Sequence, residues 1–428
     1  MNEQRDTTFS ILKALAILLV VTAHAAAPTY LSRFAYMVSV PAFFVCAGYF
    51  FNPQYLQQKG TFVMRRARRL YLPFVKWSLL FLVLHNLFFP LGLLSETYGN
   101  AAGGVTHPYD WGTAMQNLWS IVFNMSGYDV FLAGAFWFFR ALFLSSIAFL
   151  LLFKGATCIK WLKNPTLQVA AVGTLTLLLA IWQSFDGLRI TGVAQGGYRE
   201  LMGITFMSIG FLFRHNTDSP VSVAWRHPAL GLAWSSLVLV LLVAFFPVAM
   251  TPSTGNPLAV VLLALAGPAA FVWLHAVAHY LSLLPRKVPE VIAYIGDNSI
   301  YIFGFHLLAF KLVSMIKVLA YGLPWEMVGN HPVVTFQRDD AFWIAYLLVG
   351  AGLPLLVVWS WRYFCTQFDF NWTRPADWGR LFLTISVGIW TGMKWLGRTS
   401  VRTSKKTAHG IAVTFKDIVT QSRTDDDN

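Results

Sequence analysis

Charge is scarce in this chain. Charged residues make up 12% of its 428 residues, whereas hydrophobic residues make up 56%. This composition excludes an ordinary soluble domain, in which about 25% of the residues are charged. Apolar runs repeatedly reach ~20 residues, enough for a helix to cross ~30 Å of hydrocarbon. We therefore predict an integral membrane protein with helical spans, because lipid leaves backbone polar groups no other partners.

Cysteine is equally scarce. Cys46, Cys158 and Cys365 are scattered and form no CxxC pair, so neither a disulfide framework nor a zinc site is indicated. His275 and His279 have the i, i+4 spacing of metal ligands, but no third ligand is evident, and we expect packing and no metal. The net charge of +13 does not favour nucleic-acid binding, because Lys and Arg cluster in connections and in the tail, where they set topology.

The apolar runs predict an all-α, polytopic protein of about ten transmembrane helices. The predicted spans are approximately 9–28, 33–51, 71–91, 132–153, 167–184, 198–213, 228–248, 257–282, 291–320 and 341–361. Basic residues concentrate in alternate connections, namely 65–69, 154–163, 214–226, 286–287 and the chain after 362. The connection 91–131 has no Lys or Arg, and 249–256 has no charge. The positive-inside rule therefore predicts that both termini are cytoplasmic.

The chain divides into three predicted regions. Residues 1–362 form the transmembrane domain, 363–397 a cytoplasmic or interfacial segment, and 398–428 a polar, disordered cytoplasmic tail. The apolar run 381–396 is short and has a basic flank, which favours an interfacial helix over a span. The first apolar run ends in small residues like those of a signal-peptide cleavage site. If that run were removed as a signal peptide, an odd number of spans would remain. The basic connection 65–69 would then be pushed towards the outer side, against the positive-inside rule.

The first span has an ionisable group near each end, Lys13 and His24. On a helix they lie within ~20° of one face and ~16 Å apart along the axis, and such groups on apolar helices are usually functional. For His24 the alternatives are an interhelical polar contact and a general base, since imidazole titrates near working pH. For Lys13 the two alternatives are that its side chain snorkels to the membrane interface and that it contacts an anionic or carbonyl group of a bound cofactor.

Further candidate residues lie on other elements. Arg65, Arg66, Arg68 and Arg69 are a topology anchor, and their number also suits a phosphate-rich ligand. Arg140 in span four and His306 in span nine fall at depths similar to that of His24. His24, Arg140 and His306 are grouped only by their predicted depth in the membrane, which does not show that they face each other. His85 is expected to be a helix contact, and the aromatic residues of 91–131 suit either a sugar-binding rim or an interfacial aromatic belt.

Four motifs in order resemble the acyltransferase-3 family of membrane acyltransferases, which O-acylate bacterial envelope glycans and related acceptors. Segment 13–24 is similar to the family's Arg-x10-His helix, and 40–50 (VPAFFVCAGYF) to its P-x-F-F-x-x-S-G-Y/F helix. Segment 65–73 resembles its RxxR loop followed by Leu-x-Pro. The fourth motif is the pair 137–143 (WFFRALF) and 296–306 (GDNSIYIFGFH), the latter similar to G-x-x-S-x-x-I-Y-x-x-H. The resemblance covers nearly all of 8–362.

The resemblance implies a catalytic base at His24 and an acyl-donor site at the RxxR arginines, the donor usually being acetyl-CoA. It implies a multi-pass protein of the bacterial cytoplasmic membrane whose acceptor is an envelope glycan or lipid-linked sugar. The expected substrate-binding residues are Trp137, Ser299 and Tyr301, and Arg140 or His306 is expected to stabilise the oxyanion. Lys13 stands where the family has Arg, which keeps the charge but loses the bidentate fork. Ala47 replaces a frequent Ser.

The predicted function is membrane O-acyl transfer, acetyl being favoured over succinyl, from cytoplasmic acyl-CoA to a hydroxyl of an extracytoplasmic carbohydrate. His24 would be the general base, with transfer direct or through an acyl-His24. The alternative class is a polysaccharide exporter or secondary transporter. Against it, no inverted repeat or Gly/Pro-broken helix pair is visible. A third possibility, a signalling or scaffold membrane protein, would not need His24.

Overall fold

The structure, a computed structural model, describes residues 7–99, 104–185, 189–216, 227–251, 255–285, 287–338 and 340–367. The predicted interfacial helix 381–396 and the tail 398–428 lie outside these residues. Internal contacts divide the chain into two units, Met1–Val358 and Trp359–Asn428. The site described below belongs entirely to the first unit.

Every regular element of the described residues is helical, as predicted. The α-helices are α1 (Thr7–His24), α2 (Thr29–Tyr49), α3 (Lys59–Arg66), α4 (Leu72–Phe88), α5 (Trp111–Asn124), α6 (Val130–Ala133), α7 (Trp137–Ala156), α8 (Pro165–Phe185), α9 (Tyr198–His215), α10 (Pro228–Phe245), α11 (Pro257–Ser282), α12 (Lys287–Asp297), α13 (Ser299–Ala320) and α14 (Phe342–Gln367). A π-helix, Ala67–Tyr71, joins α3 to α4, and a 3-10 turn, Gly134–Phe136, precedes α7.

Nine of the helical stretches in the described residues are long and apolar enough to cross a membrane. The predicted span 198–213 is the helix α9, which is not among them. It carries Arg199, Glu200 and Arg214, too much charge for a lipid-facing span. However, α9 packs against α2, α7 and α8, and most of its residues are buried. The polytopic, all-helical architecture is therefore confirmed, with one polar helix inside the bundle.

Helix α1 is the centre of the bundle, packed against α2, α11, α12 and α13. Close approach of backbones at glycines makes this possible. A Cβ at Gly296 of α12 would collide with the carbonyl of Ser10 in α1. A Cβ at Gly48 of α2 would likewise collide with the backbone of Met207 in α9. Both glycines belong to the motifs found in the sequence, and both hold a second helix against its neighbour.

The predicted single span 291–320 is wrong, because the structure breaks it into α12 and α13 at Asn298. Short polar side chains cause the break. Asn298 donates through its side-chain amide to the carbonyl of Tyr294 at 2.9 Å, and Asp297 is drawn to Ser10 of α1 at 2.8 Å. Such residues compete with the helix for its own backbone groups. The break puts a carboxylate and a helix N-terminus beside α1.

The connection predicted at Arg65–Arg69 is also wrong as a loop, because helix continues through it. Pro73 lies in the first turn of α4 and has no N–H to donate to the carbonyl of Arg69. The chain widens there into the π-helix Ala67–Tyr71, an irregularity that occurs frequently at functional sites. The four arginines thus stand on one rigid helical stretch.

The predicted outer connection 91–131 contains α5, which lies antiparallel along α4. At one end of α4, Asn86 exchanges two 2.7 Å hydrogen bonds with the backbone of Tyr109. At the other end, the Tyr71 hydroxyl donates to the carbonyl of Val122 at 2.6 Å. Helix α5 has no charged residue, so its composition is compatible with lying beside a membrane-spanning helix.

Candidate active site

A cavity of about 190 Å³ opens between α1, α2, α7, α13 and the π-helix. Along α1 it extends from Ile17 to His24, a rise of ~10 Å. Leu70, which follows the arginine stretch, and Ser299 of α13 also line it. The remaining lining is apolar and largely aromatic: Val20, Val40, Phe43, Ala135, Trp137, Phe138, Phe139, Ile300 and Phe303. The cavity therefore extends from Leu70, next to the RxxR motif, to His24, and none of the four arginines lines it.

His24 is the last residue of α1. Its Nδ1 lies 2.9 Å from the carbonyl of Val20, one turn back on the same helix. A carbonyl only accepts, so Nδ1 carries the proton and Nε2 keeps its lone pair. The bond fixes the ring without using another helix. His24 thus lines the cavity with a ring whose Nε2 is, in the neutral form, a free hydrogen-bond acceptor.

His306 of α13 lies against His24, with ring centroids 5.3 Å apart. It is fully buried, and its Nδ1 is 3.0 Å from the carbonyls of both Ile302 and Phe303. Its Nε2 is buried without a hydrogen-bond partner. The structure therefore brings together two of the three residues that sequence depth had grouped.

Arg140, the third member of that group, points elsewhere. Its Nε lies 3.6 Å from a carboxylate oxygen of Glu200 in α9, and both side chains are 8% exposed. The adjacent Arg199 places its guanidinium 3.7 Å from the ring centroid of Trp137 and donates to the carbonyl of Met250 at 3.0 Å. The sequence analysis missed Arg199 and Glu200, although two charges at the start of a predicted span are themselves a signal.

A third imidazole, that of His331, was also missed. It lies in the connection between α13 and α14, and its Nδ1 is 2.9 Å from the carbonyl of Phe131. The adjacent loop is held by Lys311 of α13, which donates to the carbonyls of Val328 and Asn330, each at 2.9 Å. Burial is the main reason why the pKa of His331 falls from 6.5 to about 3, with smaller effects of Lys311 and His24. Nothing in the spacing of the sequence links this loop to the first span.

Lys13 does not line the cavity. Its Nζ lies 3.3 Å from a carboxylate oxygen of Asp297, and the two side chains are 31% and 27% exposed. Ser10, one turn earlier on α1, donates to the same oxygen at 2.8 Å. The ion pair ties α1 to the break between α12 and α13, so the charge of Lys13 is already compensated.

The four arginines differ in their surroundings. Arg65 donates to the hydroxyl of Tyr55 at 2.7 Å, and Arg66 lies over the ring of Phe62 at 5.1 Å. Arg68 and Arg69 are exposed. Arg65 is exposed as well, and Arg66 is half-buried. Three of the four guanidinium groups are therefore available to a ligand, although Arg65 and Arg66 also make contacts within the protein.

The remaining predicted residues divide between the cavity and the packing around it. Trp137 and Ser299 line the cavity. Tyr301 instead packs against Trp77 of α4, with centroids 6.1 Å apart. His85, expected to be a helix contact, bonds instead to residues of the connection between α4 and α7: its two nitrogens face Asp129 at 2.6 Å and the carbonyl of His107 at 2.9 Å.

The pair His275 and His279 packs against aromatic rings, His275 on Phe9 and His279 on Tyr280. Among the described residues, no three His, Cys, Asp or Glu side chains are arranged to hold a metal ion. The cavity therefore has the imidazole of His24 at one end, apolar side chains along it, and Leu70, the residue after the arginine stretch, in its lining.

Comparison with known proteins identifies the family of this chain. The family model of an acyltransferase domain matches residues 7–336, a range that includes all the residues discussed above as candidates. The peptidoglycan O-acetyltransferase OatA of Listeria monocytogenes serovar 1/2a (strain ATCC BAA-679 / EGD-e) is 28% identical over 256 residues. That alignment covers 55% of this chain and 38% of OatA, so the chain spans well under half of that relative's length. No solved structure matches. The chain belongs to the acyltransferase-3 family of membrane acyltransferases.

Proposed function

We propose that this protein is a membrane O-acetyltransferase that moves an acetyl group from cytoplasmic acetyl-CoA to a hydroxyl of an envelope carbohydrate. The observation that carries the proposal is the cavity that extends from Leu70, the residue after the arginine stretch, to His24. The peptidoglycan activity named for OatA supports an envelope glycan, or a lipid-linked sugar precursor of one, as the acceptor. The site of action would be the bacterial cytoplasmic membrane.

The donor's phosphates would be bound by Arg68 and Arg69, assisted by Arg65; all three are exposed, and Arg66 is half-buried. Guanidinium groups suit phosphate because their planar fork donates two parallel hydrogen bonds. The donor's acyl arm would then enter the apolar cavity past Leu70. Lys13, which does not line that cavity, would act indirectly through its ion pair with Asp297, whereas Ser299 and Trp137 would contact the substrates.

The chemistry requires one proton acceptor. His24 Nε2 would take the proton of the acceptor hydroxyl as its oxygen bonds to the thioester carbonyl carbon. The carbon–sulfur bond then breaks, and His24 returns the proton to the thiolate. His306, whose ring centroid lies 5.3 Å from that of His24, would act beside it, whereas Arg140 is paired with Glu200 and does not line the cavity. Direct transfer needs no acyl-enzyme.

A polysaccharide exporter or secondary transporter is the second candidate, favoured by one observation. The break at Asn298 gives a discontinuous helix beside a cavity, a feature that transporters use for substrate binding. An exporter would not consume a thioester, so thiol release separates the two classes.

The experiment is release of free CoA thiol from acetyl-CoA by the purified full chain in detergent, with soluble peptidoglycan fragments as acceptor. We expect His24→Ala to abolish release without unfolding the protein, because the His24 ring bonds only to its own helix. His215→Ala is the matched control, since that ring also bonds back to its own helix but does not line the cavity. Full activity in His24→Ala would refute the mechanism.

The donor assignment has its own test. Arg68→Ala and Arg69→Ala should raise the KM for acetyl-CoA about tenfold, because each removes a charged hydrogen-bond donor from phosphate. The KM for the glycan should stay unchanged. Lys154→Ala, which removes a charge at the end of α7, is the control for general electrostatics. A change confined to the glycan KM would contradict the donor site.

A further inference from the structure

Three imidazoles near the cavity are held in one tautomer. In His24, His306 and His331 alike, Nδ1 lies 2.9–3.0 Å from a backbone carbonyl. Each carbonyl requires a donor, so each Nδ1 carries the proton and each Nε2 is left as a hydrogen-bond acceptor. Within the described residues, none of the three Nε2 atoms has a hydrogen-bond partner.

The three rings belong to one neighbourhood. His24 and His306 are 5.3 Å apart. His331 approaches these rings from the loop between α13 and α14. A Cβ built on Gly134 would lie 3.3 Å from Nε2 of His331 and 3.6 Å from the side chain of Leu307, the residue after His306. The next residue, Ala135, lines the cavity that contains His24.

A group of unpaired acceptors in apolar surroundings selects its ligand by chemistry. A buried acceptor without a donor destabilises the site, so a ligand that supplies donors is favoured. Carboxylates and phosphates supply none, and an ammonium group would lose its hydration in the cavity. Hydroxyl groups are neutral donors, and a sugar ring presents several at the spacing of neighbouring side chains.

We propose that Nε2 of His306 and of His331 accept hydrogen bonds from non-reacting hydroxyls of the carbohydrate acceptor, while His24 takes the reacting one. His331 is then a specificity-determining residue for a polyol. The inference rests on the proposed function, since it assumes that the acceptor enters at the His24 end of the cavity. Lys311 positions the loop through Val328 and Asn330.

The test uses the full chain, acetyl-CoA and soluble peptidoglycan fragments as the probe acceptor. We expect His331→Ala to raise the acceptor KM about 3- to 10-fold, the loss of one hydrogen bond, with the acetyl-CoA KM unchanged. His331→Gln restores an acceptor and should lie closer to wild type. Gly134→Ala keeps every imidazole but adds a methyl group 3.3 Å from Nε2 of His331, and it should raise the same KM. His215→Ala is the control.

Two results would overturn the inference. One is an unchanged acceptor KM in both His331→Ala and Gly134→Ala; the other is a proton on Nε2 of His331 in ¹⁵N NMR of the histidine-labelled protein. His24→Ala separates this inference from the proposed function. If wild-type thiol release depends on His24 but neither variant alters the acceptor KM, only the role of His331 fails. If release does not depend on His24, the proposed function fails.

Discussion

Asp297 bonds to two residues of α1. It accepts from Ser10 at 2.8 Å and pairs with Lys13 at 3.3 Å, so one carboxylate holds two positions of α1 at the α12–α13 break. We expect Asp297→Ala to destabilise the protein by about 1–3 kcal/mol, because it leaves a hydroxyl and an ammonium group unpaired. Lys13→Ala should destabilise it less, since the bond from Ser10 remains.

Thermal unfolding in detergent would measure both effects. Lys13→Arg keeps the cation and should match wild type, which makes it the control. Equal melting temperatures for Asp297→Ala and wild type would mean that the ion pair does not hold α1 in place.

His331 should make stability depend on pH. Its pKa is about 3 in the folded protein and 6.5 when unperturbed. As the pH falls through 6.5, His331 becomes protonated in the unfolded chain, whereas in the folded protein it stays neutral until about pH 3. Because the unfolded state binds more protons in this range, acid favours unfolding. The free energy of unfolding that depends on neutral His331 is therefore fully present above about pH 6.5 and is progressively lost as the pH falls below it.

The melting temperature at ~pH 7.5 and ~pH 5, for wild type and His331→Gln, would measure this effect. Wild type should lose more stability on acidification than the variant, whose amide does not titrate. An identical loss in the two proteins would assign the acid sensitivity to other groups.

Sequence reasoning reached some residues of the site and not others, for physical reasons. Lys13, His24 and His306 are found because a charge or imidazole on an apolar helix stands out and because helix geometry gives its depth. The partner of Arg140 is Glu200, 60 positions away in α9, and His331 enters from a loop. Those contacts depend on which helices are neighbours, and periodicity carries no information about that.

At the scale of elements, glycines set the distance between helices. Gly296→Ala would drive a methyl group into the carbonyl of Ser10, and backbone cannot move aside without separating α1 from α12. We expect a loss of about 1–3 kcal/mol and, because Asp297 is the next residue, weaker thiol release as well. Melting temperature and specific activity of the purified variant would measure both.

Gly155→Ala is the matched control. Gly155 lies in α7 with nothing within 4 Å of its ideal Cβ, so alanine should stabilise that helix by up to ~1 kcal/mol. If both variants were equally stable, close packing at Gly296 would not be what holds α12 to α1.

Span detection from hydropathy succeeded because lipid allows so few backbone conformations. The elements that it missed are those in which side chains override the backbone pattern. Asn298 breaks one span by bonding to Tyr294, and Pro73 widens the arginine stretch into a π-helix by lacking an N–H. Helix α5 was hidden in a connection because its apolar stretch of 14 residues is shorter than a span.

At the scale of the whole molecule, the open question is whether α9 crosses the membrane. Its charge excludes contact with lipid along its length, but α2, α7 and α8 surround it, so its composition does not prevent crossing. With α9 as a span, three crossings separate the end of α7 from the α10–α11 connection, which puts the two on opposite sides. Without it they share a side.

Thiol labelling decides between these topologies. Cys158 is exposed after α7, whereas Cys46 is buried, so in a Cys365→Ser background only Cys158 should react with a membrane-impermeant maleimide. We expect labelling in inside-out vesicles and none in intact spheroplasts. In a variant that also lacks Cys158, Thr251→Cys in the α10–α11 connection should show the reverse pattern. Labelling of both positions from the same side would mean that α9 does not cross, and a swap of the two sides would place the termini and the arginine stretch outside the cytoplasm.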